Sequence, residues 1–294
     1  MAAGQGLEAS PMEAARRVKR GIVTFLALTF AFSSVGYAAT IIDGQTSVLL
    51  LISPAVAALI TRYIYARNAR GFGWGLPQPR WALLAYALPF VVSGSMFILA
   101  WVFLGYYTTD KTDIGVVEGL AVSATALVVF MSLFGFGEEL GWRGYLVPEL
   151  AKLTNFRNVA LISGAAWAVW HWPLIFFAAE VTDFDKVPVW FTLPVFTATI
   201  VAAGVIMAWL TLRSRSLWPA VILHGTQNAI TQAFFAEYTS ESGNTAYFVS
   251  EVGILIAAAW VITAYLFWRR RSSLPALPAL PALPALPLTV DAEA

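Results

Sequence analysis

Residues 117–145 read VEGLAVSATALVVFMSLFGFGEELGWRGY. Between Glu118 and Glu138 no residue is charged. An apolar run of this length forms a helix that crosses a bilayer, since about 20 residues at 1.5 Å each cover the hydrocarbon core. The run then ends in Glu138, Glu139 and Arg143, three ionisable groups set at the edge of a span. Such groups are costly in a membrane and face a protein interior or a water-filled cavity when they occur.

Working outward from this stretch, seven further apolar runs appear, at about 21–42, 46–65, 81–107, 158–179, 190–212, 217–236 and 246–268. Of the 294 residues, 59% are hydrophobic and 12% charged, against about 25% charged in soluble domains. That balance excludes an ordinary soluble enzyme, a disordered chain and a nucleic-acid-binding protein. The net charge of +1 points to no partner, and the absence of cysteine removes disulfides, thiolate metal sites and Cys nucleophiles. The expected fold is all-α, a polytopic transmembrane bundle of about eight helices.

Basic residues set the expected orientation. Arg16, Arg17, Lys19 and Arg20 precede the first span, and Arg62, Arg67, Arg70 and Arg80 follow the second. Arg143, Lys152 and Arg157 follow the fourth, Arg213 and Arg215 the sixth, and Arg269, Arg270 and Arg271 the eighth. Only Lys111 and Lys186 fall on the other side, among many acids. Eight passes with both termini cytoplasmic satisfy this alternation. The first apolar run continues through Ile41 and Ile42, too long for a signal-peptide core, so an uncleaved first helix is expected. The chain divides into a cytoplasmic N-terminal tail at 1–20, a transmembrane domain at 21–268 and a C-terminal tail at 269–294. That last tail is basic and then repeats Leu-Pro-Ala from Leu274 to Ala285, a low-complexity pattern expected to be disordered.

Both histidines of the chain lie inside predicted spans. His171 sits in Trp167-Ala168-Val169-Trp170-His171-Trp172-Pro173, and His224 opens His224-Gly225-Thr226-Gln227-Asn228. Helical spacing places Glu139 with Arg143, His224 with Asn228, and Trp167 with His171 on common faces. Glu138 is turned about 100° from Glu139, so the two carboxylates need not share a role. Pro173 is expected to kink or end its helix. Gly137 and Gly141 form a small-xxx-small step that admits close helix approach. Taken singly, these features read as a structural ion pair, satisfied histidines and helix glue, and Gln227 as packing. Together they place Glu, His, His and Asn on three helices.

These three segments resemble the motifs of the CPBP family, which comprises the type II CAAX prenyl proteases and abortive-infection or bacteriocin-processing-related bacterial membrane proteins. Glu138, Glu139 and Arg143 match its Glu-Glu-x-x-x-Arg motif. His171 matches its Phe-x-x-x-His motif, with Trp167 in the Phe position. His224 and Asn228 match its His-x-x-x-Asn motif. The resemblance covers the chain from the fourth to the seventh span. It implies an intramembrane endopeptidase with Glu138 as the general base that activates water, His171 holding that water, and His224 with Asn228 donating to the oxyanion. Glu139 and Arg143, with Trp167, support the site. No cofactor is required on that reading. The alternative is a zinc ion held by Glu138, His171 and His224, although the usual His-Glu-x-x-His motif is absent.

The implied partners are the bilayer and a peptide or membrane-protein substrate, lipidated or not. The expected setting is a bacterial plasma membrane with the site in its cytoplasmic half, inside a wet cavity open sideways to lipid. Two other functions share the same residues: a non-catalytic interaction or immunity protein, and a transporter with Glu138 and His171 as a proton relay. No pair of matching broken helices supports the transporter.

Overall fold

The computed structural model describes residues 10–182 and 184–277. Among these the chain is helical, with a single isolated bridge between Tyr107 and Thr239 as its only β-pairing. Six helices are long and apolar enough to cross a membrane: α1 Pro11–Asp43, α2 Val48–Ala66, α3 Pro79–Leu104, α4 Val116–Ala151, α5 Phe156–Phe177 and α6 Val189–Ser214. Two shorter helices stand where the seventh and eighth spans are expected. They are α7 Trp218–Asn228, prolonged by the π-helical segment Ala229–Phe235, and α8 Ile254–Arg269. The Leu-Pro-Ala repeat lies outside the described residues from position 278 on.

Two helix boundaries differ from hydropathy. α1 starts at Pro11, within the stretch expected as a tail, because Ser10 and Glu13 form a capping box. The Ser10 amide donates to the Glu13 carboxylate at 2.9 Å and the Glu13 amide to Ser10 Oγ at 3.3 Å. α4 runs on to Ala151, well past the end of its apolar run near 141, through the π-helical segment Leu140–Leu146. Its polar residues there have partners. Arg143 pairs with Glu139, and Glu149 takes Arg62 at 3.0 Å and Lys152 at 2.6 Å. Nor does α5 end at Pro173, since it continues to Phe177.

Side-chain contacts sort the connections to two ends. At one end, Leu217 donates its amide to the Gly73 carbonyl, Trp218 reaches the Trp74 carbonyl and Trp209 the Arg270 carbonyl. Thr24 of α1 meets Tyr65 of α2 at the same basic end. At the opposite end, Lys111 and Lys186 both bind Glu241, at 3.1 and 3.2 Å. This clasp joins the connections that follow α3, α5 and α7.

α4 lies at the centre, with α2 and α7 packed against it. Its glycines permit the approach. A Cβ on Gly137 would stand 2.6 Å from the Leu51 carbonyl oxygen, and one on Gly141 would stand 2.7 Å from that of Pro54. Without a hydrophobic driving force between helices in lipid, such backbone contact is a main source of packing energy. Gln227 acts as glue between helices, accepting from Ser93 and donating to Thr231.

Two outcomes follow. Gly141→Leu should lower the melting temperature in detergent by an amount equivalent to about 1–3 kcal/mol, the typical overpacking cost. Gly75→Ala, at a site with nothing within 4 Å of its Cβ, should melt with the wild type. The second concerns Glu241, whose carboxyl is held below the usual range by hydrogen bonds from Lys111 and Lys186 and by their charge. Its contribution is present above the ordinary glutamate pKa and is lost as pH falls through the depressed one. Because the clasp is largely exposed, melting of wild type and Glu241→Gln should differ by less than about 1 kcal/mol at pH 7, and the gap should close in acid.

Candidate active site

α4, α5 and α7 deliver the predicted residues to one buried polar network. Glu139 and Arg143, one turn apart on α4, are both fully buried and paired at 2.8 Å. The same carboxylate oxygen, Glu139 Oε1, accepts from His224 Nδ1 at 2.9 Å. Glu138 points elsewhere, as its position on the helix demands, and its Oε2 accepts the indole N–H of Trp167 at 2.8 Å. The Arg143 guanidinium lies 4.0 Å from the centroid of the Trp167 ring, stacked on its face. His171, half-buried one turn after Trp167, places Nδ1 2.9 Å from the Trp167 carbonyl. Trp170 and Phe196 flank its ring at centroid distances of 4.8 and 5.4 Å.

The partners decide the imidazole tautomers. A backbone carbonyl only accepts, so His171 Nδ1 carries the proton, and the neutral ring presents Nε2 as an acceptor. His224 Nδ1 likewise donates to a carboxylate. Its Nε2 therefore donates only when the ring is doubly protonated. Two carboxylates here face one guanidinium, and a proton on His224 brings the sum of charges to zero.

Helix lengths explain why groups so far apart in sequence meet. About 20 Å of helix separates Glu138 from the end of α4, and about 22 Å separates the start of α5 from His171. The two helices are joined by a short turn at 152–155, so these depths match. The extension of α4 beyond its apolar run creates that match. α7 begins instead at buried Ser216 and Leu217, already inside the protein, which brings His224 to the same level after about two turns.

Asn228 shares the α7 face of His224, is half-buried, and makes no hydrogen bond to Glu138, His171 or His224. An apolar cavity lies beside the network rather than within it. A space of about 620 Å³ separates α3, α4 and α7, lined by Leu83, Val129, Ser132, Phe136, Trp218 and Ile222 among others. It is almost wholly apolar, and Leu83 and Val129 are exposed on the outer surface of the bundle. One layer parts it from the site: Ser132 abuts Gly225, and Gly135 backs onto the His224 ring.

The residues do not fit a metal centre. Among the described residues no three His, Asp or Glu side chains are grouped so as to hold one ion, and that includes Glu138, His171 and His224 of the zinc alternative. Spacing places Trp167 on the face of His171 and says nothing of its N–H. Its N–H proves to be the one protein donor to Glu138 among the described residues. An indole at an aromatic position next to buried carboxylates was the available signal.

Two comparisons bear on this geometry. The family model described as Type II CAAX prenyl endopeptidase Rce1-like matches residues 119–230. The chain is also 31% identical, over 131 residues, to the CAAX prenyl protease 2 of Methanococcus maripaludis. That alignment takes in 44% of this chain and 45% of the relative, so the match spans less than half of either protein. The matched stretch 119–230, which holds Glu138, Glu139, Arg143, Trp167, His171, His224 and Asn228, is similar to the Rce1-like type II CAAX prenyl endopeptidases.

Proposed function

We propose that this protein is an intramembrane endopeptidase that hydrolyses a peptide bond with a water activated by Glu138. The observation that carries the reading is the half-committed Glu138 carboxylate. Its Oε2 is held by Trp167, while its Oε1 takes no hydrogen bond from any of the described residues and can accept from water. His171 Nε2, the remaining acceptor of its ring, takes the other hydrogen of that water. The water oxygen attacks the scissile carbonyl as its proton passes to Glu138. The Asn228 carboxamide, and His224 Nε2 in the imidazolium form, donate to the oxyanion that develops. Glu138 then returns the proton to the leaving amine, closing the cycle.

The apolar groove supports a substrate that arrives through the membrane. A lipidated peptide or a transmembrane segment lies along α4 and α7 with its apolar part in the groove and its peptide bond one layer away, at the network. The name of the Methanococcus relative, a prenyl protease, supports the lipidated form. The basic end of the bundle, with Arg62, Lys152 and Arg270, supports cytoplasmic placement of that end and of both termini. A bacterial plasma membrane is the proposed setting.

In proteoliposomes with a lipidated reporter peptide, Glu138→Gln should lower cleavage by roughly 10²–10⁴-fold while eluting as a folded, monodisperse protein. Wild-type cleavage by that variant would instead favour a structural polar network in an interaction protein. Asn228→Ala should lower kcat by roughly 10²–10³-fold with little change in KM, the signature of a donor used in the transition state. An Asn228→Ala enzyme with normal kcat would remove that residue from the oxyanion site.

A further inference from the structure

Trp167 meets four groups of the site: Glu138, Arg143, His171 and His224. Its N–H donates to Glu138, its ring face carries Arg143, and its carbonyl accepts from His171. The indole also stands 5.6 Å, centroid to centroid, from the His224 ring. It is almost fully buried, so solvent does not compete for its N–H.

Glu138 ends in a rotatable carboxylate. With no second donor among the described residues, the orientation of that carboxylate rests on the single bond from Trp167. Arg143, which could have bound it directly, is turned to Glu139 and to the indole face instead. A side chain that merely filled this volume would leave Oε2 without a partner and Oε1 without a direction.

We propose that Trp167 is the positioning residue for the general base, its indole N–H pinning Glu138 Oε2 so that Oε1 faces the attacking water. The inference rests on the hydrolytic reading of Glu138 given above. It assigns a catalytic consequence to the N–H, separate from the bulk of the ring. The carbonyl bond to His171 comes from the backbone and survives any side-chain replacement at this position.

The test removes the N–H and keeps an aromatic ring in its place. Trp167→Phe in the full-length protein should lower kcat about tenfold or more, the scale of a hydrogen bond to a charged group, with KM within about twofold. Installing benzothienylalanine at position 167, where sulfur replaces the N–H in a ring of the same shape, should give the same loss and decides the matter if Trp167→Phe does not fold. A double-mutant comparison separates positioning from general damage. The loss from Trp167→Phe should multiply fully with that of Asn228→Ala. With Glu138→Asp, which already displaces the carboxylate, it should multiply much less. Wild-type kcat in the benzothienylalanine protein, beside an inactive Glu138→Gln, overturns this inference alone. Wild-type cleavage by Glu138→Gln overturns the hydrolytic reading and this inference with it.

Discussion

Glu139 and Arg143 hold opposite charges in a place from which water and lipid headgroups are both excluded. Desolvating such a pair is expensive, and removing either partner strands the other charge. The surrounding structure is organised around keeping them together. The glycines of α4 let α2 close over the pair's own helix, and α7 adds a second donor to Glu139 through His224. The Trp167 ring covers the outer face of the guanidinium. The buried Glu139 Oε2 and Arg143 Nε and Nη2 still have no hydrogen-bond partner among the described residues, so the cluster is not fully satisfied even so. Such incompletely paired groups persist where chemistry needs them.

Much of the fold could be read from the sequence because lipid imposes one dominant rule: backbone groups must be satisfied within apolar helices. The runs that became α1 to α6 follow directly from it. The rule failed where polar residues continued a helix. Hydropathy stopped α4 near Gly141, since it has no means of knowing that Arg143 and Glu149 find opposite charges. It missed the first turns of α1 for a related reason, because a capping box stabilises a helix that is not apolar.

The site was legible as a set of residues, since ionisable groups within spans are few. Glu139, Arg143 and His224 converge, and spacing alone placed the first two on one face. What spacing could not supply is pairing across helices. Nothing in the linear order distinguishes an indole that walls a pocket from one that binds Glu138. The zinc alternative also fits as a list of types, yet among the described residues Glu138, His171 and His224 do not form a group that could hold one ion. Asn228 remains one turn from His224, as the period requires, but without a bond that would define its role.

The bond between Glu139 and His224 has a consequence for how the protein is made. It joins residues 85 positions apart, and the later one belongs to the seventh helical segment. At about 5–20 residues per second, the ribosome takes on the order of 4–17 s to pass from one to the other. Before that interval ends α4 and α5 are complete, carrying two carboxylates and an arginine with part of their final company missing. On the proposed hydrolytic reading, a nascent chain is inert by assembly order, with the base made before the oxyanion donors. On that reading the last helices do more than complete the bundle, because their arrival is the moment at which a neighbouring polypeptide first becomes vulnerable to it.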